Sequence, residues 1–144
     1  MDISPYTRKV QYYETDQMGI VHHSNYIRWF EEAQVDFLEQ IGFGYQKAIA
    51  VGIDFAVLGV SCEYKSMIRF GDTVKTHLCV TSLEALRMTL SYRIVDGETE
   101  MLRAMGTSKH CYYHSLKKQP AALRKELPEL YEILKSVEGC SPDI

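Results

Sequence analysis

Between Tyr26 and Ile41 the chain spells out one long helix, and little else in it is helical until the last quarter. Apolar residues recur at Tyr26, Ile27, Phe30, Ala33, Phe37, Leu38 and Ile41. That three-and-four spacing gathers them into a stripe on one side of a helix. Arg28, Glu31, Glu32, Asp36 and Glu39 supply the wet side. Ser24 and Asn25 are N-cap candidates, because their side-chain oxygens accept backbone N–H bonds, and Gly42 is a natural left-handed stop. A helix of about five turns with one apolar stripe cannot bury itself, so the rest of the chain has to supply a surface for it.

That surface is written as strands. Arg87 to Val95 alternates, with Met88, Leu90, Tyr92 and Ile94 on one face and Arg87, Thr89, Ser91 and Arg93 on the other. The same period of two appears over 53–65, 73–83 and 100–114, and a shorter strand is predicted over 8–13. Arg69-Phe70-Gly71-Asp72 and Asp96-Gly97-Glu98 are turn signals, and consecutive strands with tight turns predict antiparallel neighbours. In the last long run Ala104, Gly106 and Ser108 share a face, and small residues in register let a helix approach closely. The segment 44–52 reads as a loop. In the tail, Leu123, Leu127, Leu130 and Leu134 have helical spacing, but Pro128 lacks an N–H and predicts two short helices. The class is α+β: one major helix on one curved, mostly antiparallel sheet. The 144 residues predict a single domain over 1–144, with a short helical tail from about 120.

With 46% hydrophobic and 24% charged residues, the chain has the balance of an ordinary folding protein. Its net charge of −3 argues against a nucleic-acid partner, whose binding rests on phosphate neutralisation. The charge is unevenly placed: −4 over residues 1–60, +5 over 61–125 and −4 over 126–144. A basic middle suits a small polyanion, with Lys65, Arg69, Arg87, Arg93 and Arg103 as candidates. Residues 1–25 contain Asp2, Glu14 and Asp16 and read as no leader, and no window approaches the ~20 apolar residues of a membrane span. Cys62, Cys79, Cys111 and Cys140 form no C-x-x-C pair, so the first three read as buried inert thiols of a reduced, cytoplasmic protein. His110 and His114 stand four apart on one strand face, with Asp16 considered as a third donor. Without a metal-site motif, no metal and no cofactor are expected. No G-x-S-x-G elbow occurs.

The stretch richest in chemistry is Tyr13-Glu14-Thr15-Asp16-Gln17-Met18-Gly19-Ile20-Val21-His22-His23-Ser24-Asn25-Tyr26, set between the first strand and the long helix. It combines a carboxylate, a glycine and a helix start whose unsatisfied N–H groups can polarise a carbonyl. The spacing Asp16-x-x-Gly19-x-Val21-x-His23-x-x-Tyr26, followed by Trp29-Phe30-Glu31, resembles the 4-hydroxybenzoyl-CoA thioesterase-like branch of the hotdog fold. The segment Tyr64 to Asp72, with its Arg-Phe-Gly-Asp turn, is similar as well, so the resemblance spans about residues 6–135.

The resemblance implies a long central helix wrapped by an antiparallel sheet, working as a homodimer or homotetramer with sites between subunits. It implies an acyl-CoA thioesterase that frees a carboxylic acid and coenzyme A without a metal. Asp16 matches the catalytic carboxylate and His23 the residue whose backbone N–H binds the thioester oxygen. Gly19 matches the glycine of the tight turn. Val21 and Tyr26 fall at pocket-shaping positions, though core packing is an equal role for Tyr26. Asp16 can act as general base on water or attack to give a mixed anhydride. Aspartate is a feeble base at neutral pH, so proximity and oxyanion donors must supply most of the acceleration. Side-chain catalysis by His22 and His23 is a lesser alternative. Gln34 departs from the pattern, where an arginine is common. A thioesterase acting on acyl-carrier protein and a non-hydrolytic acyl-thioester binder are the alternatives.

Overall fold

The computed structural model describes residues 2–139. Strand β1 (Tyr6–Lys9) leads through a 3-10 turn at Tyr12–Glu14 to α1 (Ser24–Gln40) and the short α2 (Tyr45–Ala50). Four long strands follow: β2 (Ile53–Tyr64), β3 (Thr73–Leu83), β4 (Arg87–Asp96) and β5 (Leu102–His114). A two-residue β6 (Gln119–Pro120), α3 (Leu123–Glu126) and α4 (Pro128–Val137) complete the order. Pro128 stands in the first turn of α4, where its missing N–H costs nothing, so the tail divides into two helices as its spacing predicts.

All strand pairs are antiparallel, in the order β1-β3-β4-β5-β2 with β6 on β5. The meander β3-β4-β5 follows the expectation of antiparallel sequence neighbours. Strand β2 does not: it lies on β5 rather than on β3, because residues 65–72 carry the chain across from one side of the sheet to the other. That crossover runs past the hairpin ahead of α1, where the Val21 N–H donates to the Ile68 carbonyl at 2.8 Å. The sheet therefore curls around α1 and leaves β2 as an edge.

The apolar stripe of α1 faces this curl. Tyr26, Trp29, Phe30, Ala33 and Phe37 are buried, and so is Ile41 beyond its end, while Ile27 and Leu38 are half-buried at the border. Phe30 stacks on Tyr92 of β4 at 4.2 Å between ring centroids. Directly beneath it is Gly106: a Cβ there would lie 2.5 Å from Phe30 and 2.5 Å from the Ser61 carbonyl oxygen. The close approach read from Ala104, Gly106 and Ser108 is therefore made at the middle residue. Gly106→Ala should cost about 2 kcal/mol, because one of the two clashes is with backbone that cannot swing aside. A lowered urea midpoint at unchanged m-value is the expected observation.

Four local expectations are corrected. The first strand ends at Lys9 rather than running to Tyr13, because the Gln11 N–H is taken by the Glu14 carboxylate and the chain turns there. Ser24 and Asn25 lie inside α1 and do not cap it. The cap residue is His23, the Ser24 N–H donates to His22 Nδ1 at 3.2 Å, and the buried Asn25 amide donates to the Glu14 carbonyl. The segment 44–52 contains α2. Finally, Cys79 is disulfide-bonded rather than a free thiol, whereas Cys62 and Cys111 are free and half-buried. Gly42 does follow the end of α1 with a positive φ of 80°.

Candidate active site

The segment between β1 and α1 is a small hairpin. Thr15 pairs with Val21, the Asp16 N–H donates to the Ile20 carbonyl at 2.8 Å, and the Gly19 N–H closes a turn onto the Asp16 carbonyl at 3.0 Å. Gly19 has φ +78° with nothing within 4 Å of a would-be Cβ, so a glycine serves there for its backbone freedom and not for space. At the tip, Asp16 is half-buried. Its Oδ1 accepts the Met18 N–H at 2.8 Å, which fixes the carboxylate by an Asx-type turn. Its Oδ2 accepts no hydrogen bond and makes no ion pair among the described residues.

His23 ends this hairpin and begins α1. Its carbonyl accepts the Tyr64 hydroxyl at 3.3 Å and its ring stacks on His22 at 4.2 Å. The His23 backbone N–H donates to no acceptor among the described residues. It lies at the positive end of a helix of 17 residues, where the peptide dipoles add. The His22 ring is engaged with Ser24, through Nδ1 to the Ser24 hydroxyl at 2.9 Å and to its N–H. Val21 and Tyr26 are both 4% exposed and belong to the core beneath the hairpin. Tyr26 meets Tyr64 edge-on at 4.8 Å, and burial, with Cys62 and Tyr64 nearby, pushes its phenol up to about 12. It stays neutral across the working range and packs.

The hairpin is fastened by a residue whose role the sequence left unread. Glu14 is 3% exposed and its carboxylate is fully engaged: Oε1 accepts the Gln11 N–H at 2.8 Å, and Oε2 accepts Trp29 Nε1 at 2.8 Å and Arg8 Nη2 at 3.0 Å. Its carbonyl accepts the His22 N–H and the Asn25 amide, each at 2.8 Å. One residue thereby ties β1, the 3-10 turn, the hairpin and α1 together. No periodic pattern announces it, since its partners come from three elements.

Among the expected cations, Arg103 is committed to Asp96 at 3.1 Å and to the Met67 carbonyl, and Lys65 pairs with Glu63 at 3.0 Å. Arg69 is exposed, makes no ion pair among the described residues, and belongs to the segment bridged to Ile20 of the hairpin. His110 and His114 do not converge with Asp16: His110 bonds Ser108, and His114 Nδ1 accepts the Lys117 N–H. Gln34, at the position of the departure, donates to the Tyr92 hydroxyl at 2.7 Å.

Comparison with known proteins agrees with this architecture. The model of the thioesterase-like superfamily matches residues 10–131. The chain belongs to the thioesterase-like superfamily. A protein of Aquifex aeolicus (strain VF5) is 42% identical over 106 residues, covering 74% of this chain and 81% of its own. The acyl-CoA thioester hydrolase YbgC of Escherichia coli O157:H7 is 29% identical over 119 residues, 83% of this chain and 88% of its own. Among solved structures, the DHNA-CoA thioesterase of Staphylococcus aureus superposes with a TM-score of 0.87 at 29% identity, covering 93% of this chain and 89% of that one. The superfamily's hotdog architecture is thus the fold of this chain: a curled antiparallel sheet around a long helix. No helix among the described residues is long and apolar enough to cross a membrane.

Proposed function

We propose that this superfamily member hydrolyses acyl-CoA thioesters, with the carbonyl held between Asp16 and the start of α1. One observation carries the reading. The same hairpin and helix start present a carboxylate oxygen and a backbone N–H that are both without partners among the described residues. A thioester carbonyl uses both. The His23 N–H, at the positive helix end, takes the oxygen as it becomes an oxyanion, a contribution worth about 3–4 kcal/mol. Asp16 Oδ2 faces the carbon, either removing a proton from attacking water or adding directly to give an anhydride that water opens. In both routes the C–S bond breaks, coenzyme A leaves as thiolate and takes a proton, and the acid is released. The E. coli relative named as an acyl-CoA thioester hydrolase supports this substrate class.

Arg69, beside the hairpin and without an ion pair among the described residues, is the cation we place near the coenzyme A phosphates. Strand β2 is an unpaired edge with Val57, Leu58, Val60 and Tyr64 exposed, the kind of edge a second copy covers, so we take a homodimer as the working unit. Free-thiol release over short, long and aromatic acyl-CoAs tests the reading. Release is expected from at least one class, with Arg69→Ala raising KM several-fold at unchanged kcat. Binding of acyl-CoA without release from any class would make the protein a non-hydrolytic binder.

A further inference from the structure

Two large aromatic side chains stand in solvent beside the hairpin and have no part in the core. Tyr12 is 76% exposed and Phe70 is 58% exposed, and their rings meet edge-on at 5.6 Å with 83° between the planes. Rings at right angles cannot cover each other's faces, so broad π surface stays open to water. The backbone that carries them is tied down. Tyr12 opens the 3-10 turn, and its carbonyl accepts the Thr15 N–H at 3.1 Å and the Thr15 hydroxyl at 2.7 Å. Phe70 sits in a turn closed by the Asp72 N–H on the Arg69 carbonyl at 3.1 Å and by the Arg69 N–H on Asp72 Oδ2 at 2.9 Å. The Val10 N–H donates to the Asp72 carbonyl at 2.9 Å and so joins the two segments.

Their place in the fold separates them from the edge assigned to a second copy. The crossover leaves β2 after Tyr64, and by Asp72 it has reached the segment that follows β1, the strand at the opposite end of the sheet order. Tyr12 and Phe70 therefore stand on the β1 side. They also stand near the catalytic loop. Arg69 pairs with Ile20, and the Ile20 carbonyl accepts the Asp16 N–H, so three neighbouring segments at ~4.8 Å spacing put Arg69 about 10 Å from Asp16. Cross-strand partners share a face, and Val21 and Ile68, one residue on, turn into the core at 4% and 0% exposed. That leaves Asp16 and Arg69 together on the outer face. Arg69 is exposed and makes no ion pair among the described residues.

We infer that Tyr12 and Phe70 form a platform on which the purine base of coenzyme A stacks, so that the protein reads its substrate by the nucleotide end as well as by the acyl group. The inference deepens the thioesterase reading and rests on it for the position of the thioester at Asp16. In an acyl-CoA the pantetheine arm separates the thioester from the phosphates, and the base lies beyond the phosphates. That order matches the Asp16 carboxylate, the Arg69 guanidinium and the ring next to it in the chain. Every base offers a π face, and its stacking on an aromatic ring contributes about tenfold in affinity. Rings already held on fixed turns lose little freedom on binding. A carrier-protein thioester ends its arm on a protein and brings no base, so the platform favours coenzyme A over it.

The experiment measures kcat/KM for one acyl group carried on coenzyme A, on phosphopantetheine and on pantetheine. Beside it, calorimetry follows binding of adenosine 3′,5′-bisphosphate, which needs no turnover. The unmodified protein should prefer the coenzyme A thioester over the phosphopantetheine thioester by about tenfold or more, and should bind the bisphosphate. Phe70→Ala should lower that ratio about tenfold through KM and weaken the bisphosphate to match, Tyr12→Ala should act in the same direction, and Phe70→Tyr should keep the preference. Both positions are exposed, and a thermal melt confirms that the variants fold. A preference unchanged by either alanine, an equal loss on all the thioesters, or no binding of the bisphosphate to the unmodified protein would overturn the platform and leave the thioesterase reading standing. Release from none of the thioesters, with the bisphosphate bound and weakened by Phe70→Ala, would overturn the thioesterase reading and keep the platform.

Discussion

Asp16→Asn should lower kcat on acyl-CoA by about a thousandfold or more while leaving acyl-CoA affinity within a few-fold of the unmodified protein. The substitution is confined to chemistry. Oδ1 of the carboxylate accepts the Met18 N–H, and an asparagine carbonyl in the same place accepts it equally well, so the turn with Gly19 persists. What changes is Oδ2, which has no partner among the described residues and becomes an NH2 group that neither takes a proton at neutral pH nor attacks a carbonyl. Both routes open to Asp16 fail together. Steady-state kinetics beside calorimetric binding, with a thermal melt to confirm folding, checks the split. Turnover within tenfold of the unmodified protein would remove Asp16 from the reaction.

Glu14→Gln should destabilise the protein by about 3 kcal/mol, a large effect for a change of one atom, because it breaks a buried charged pair without removing its partners. The carboxylate is an acceptor on both oxygens and receives three donors, from Gln11, Trp29 and Arg8. A glutamine offers one acceptor oxygen and brings two hydrogens of its own, so a donor must face a donor whichever way the amide turns. Arg8 keeps Glu32 at 3.3 Å, but that carboxylate is 36% exposed and replaces little of the loss. Since Glu14 also carries the hairpin, the folded variant should lose activity as well, by misplacing Asp16 relative to His23. Urea unfolding measures the first effect and kcat the second. A midpoint unchanged within error would show that the three donors find water instead.

The fold was legible where its cause is local. The stripe of α1, the alternation of β4, the break at Pro128 and the close approach at Gly106 each follow from spacing within a few residues. What depends on partners distant in sequence was not legible. The placement of β2 on β5 is decided by where the crossover at 65–72 lands, and no pattern inside β2 records that. Glu14 was given no role because its three donors arrive from β1, the residue ahead of the 3-10 turn and α1. The capping reading of Ser24 and Asn25 failed for the same reason. Asn25 is drawn to the Glu14 carbonyl, and the first turn of the helix is supplied by His22 instead. Of the candidate site, the resemblance supplied Asp16, Gly19 and His23. The contacts that run from Gln34 to Tyr92, Ser108 and His110 join α1, β4 and β5, and no pattern within one element records them.

The central claim is a position: a thioester carbonyl with its oxygen on the His23 N–H and its carbon facing residue 16. A crystal structure of Asp16→Asn soaked with an acyl-CoA measures it directly. The account predicts an intact thioester whose oxygen lies about 3 Å from the His23 nitrogen and whose carbonyl carbon faces residue 16. A thioester bound elsewhere, with the His23 N–H facing solvent, would contradict it.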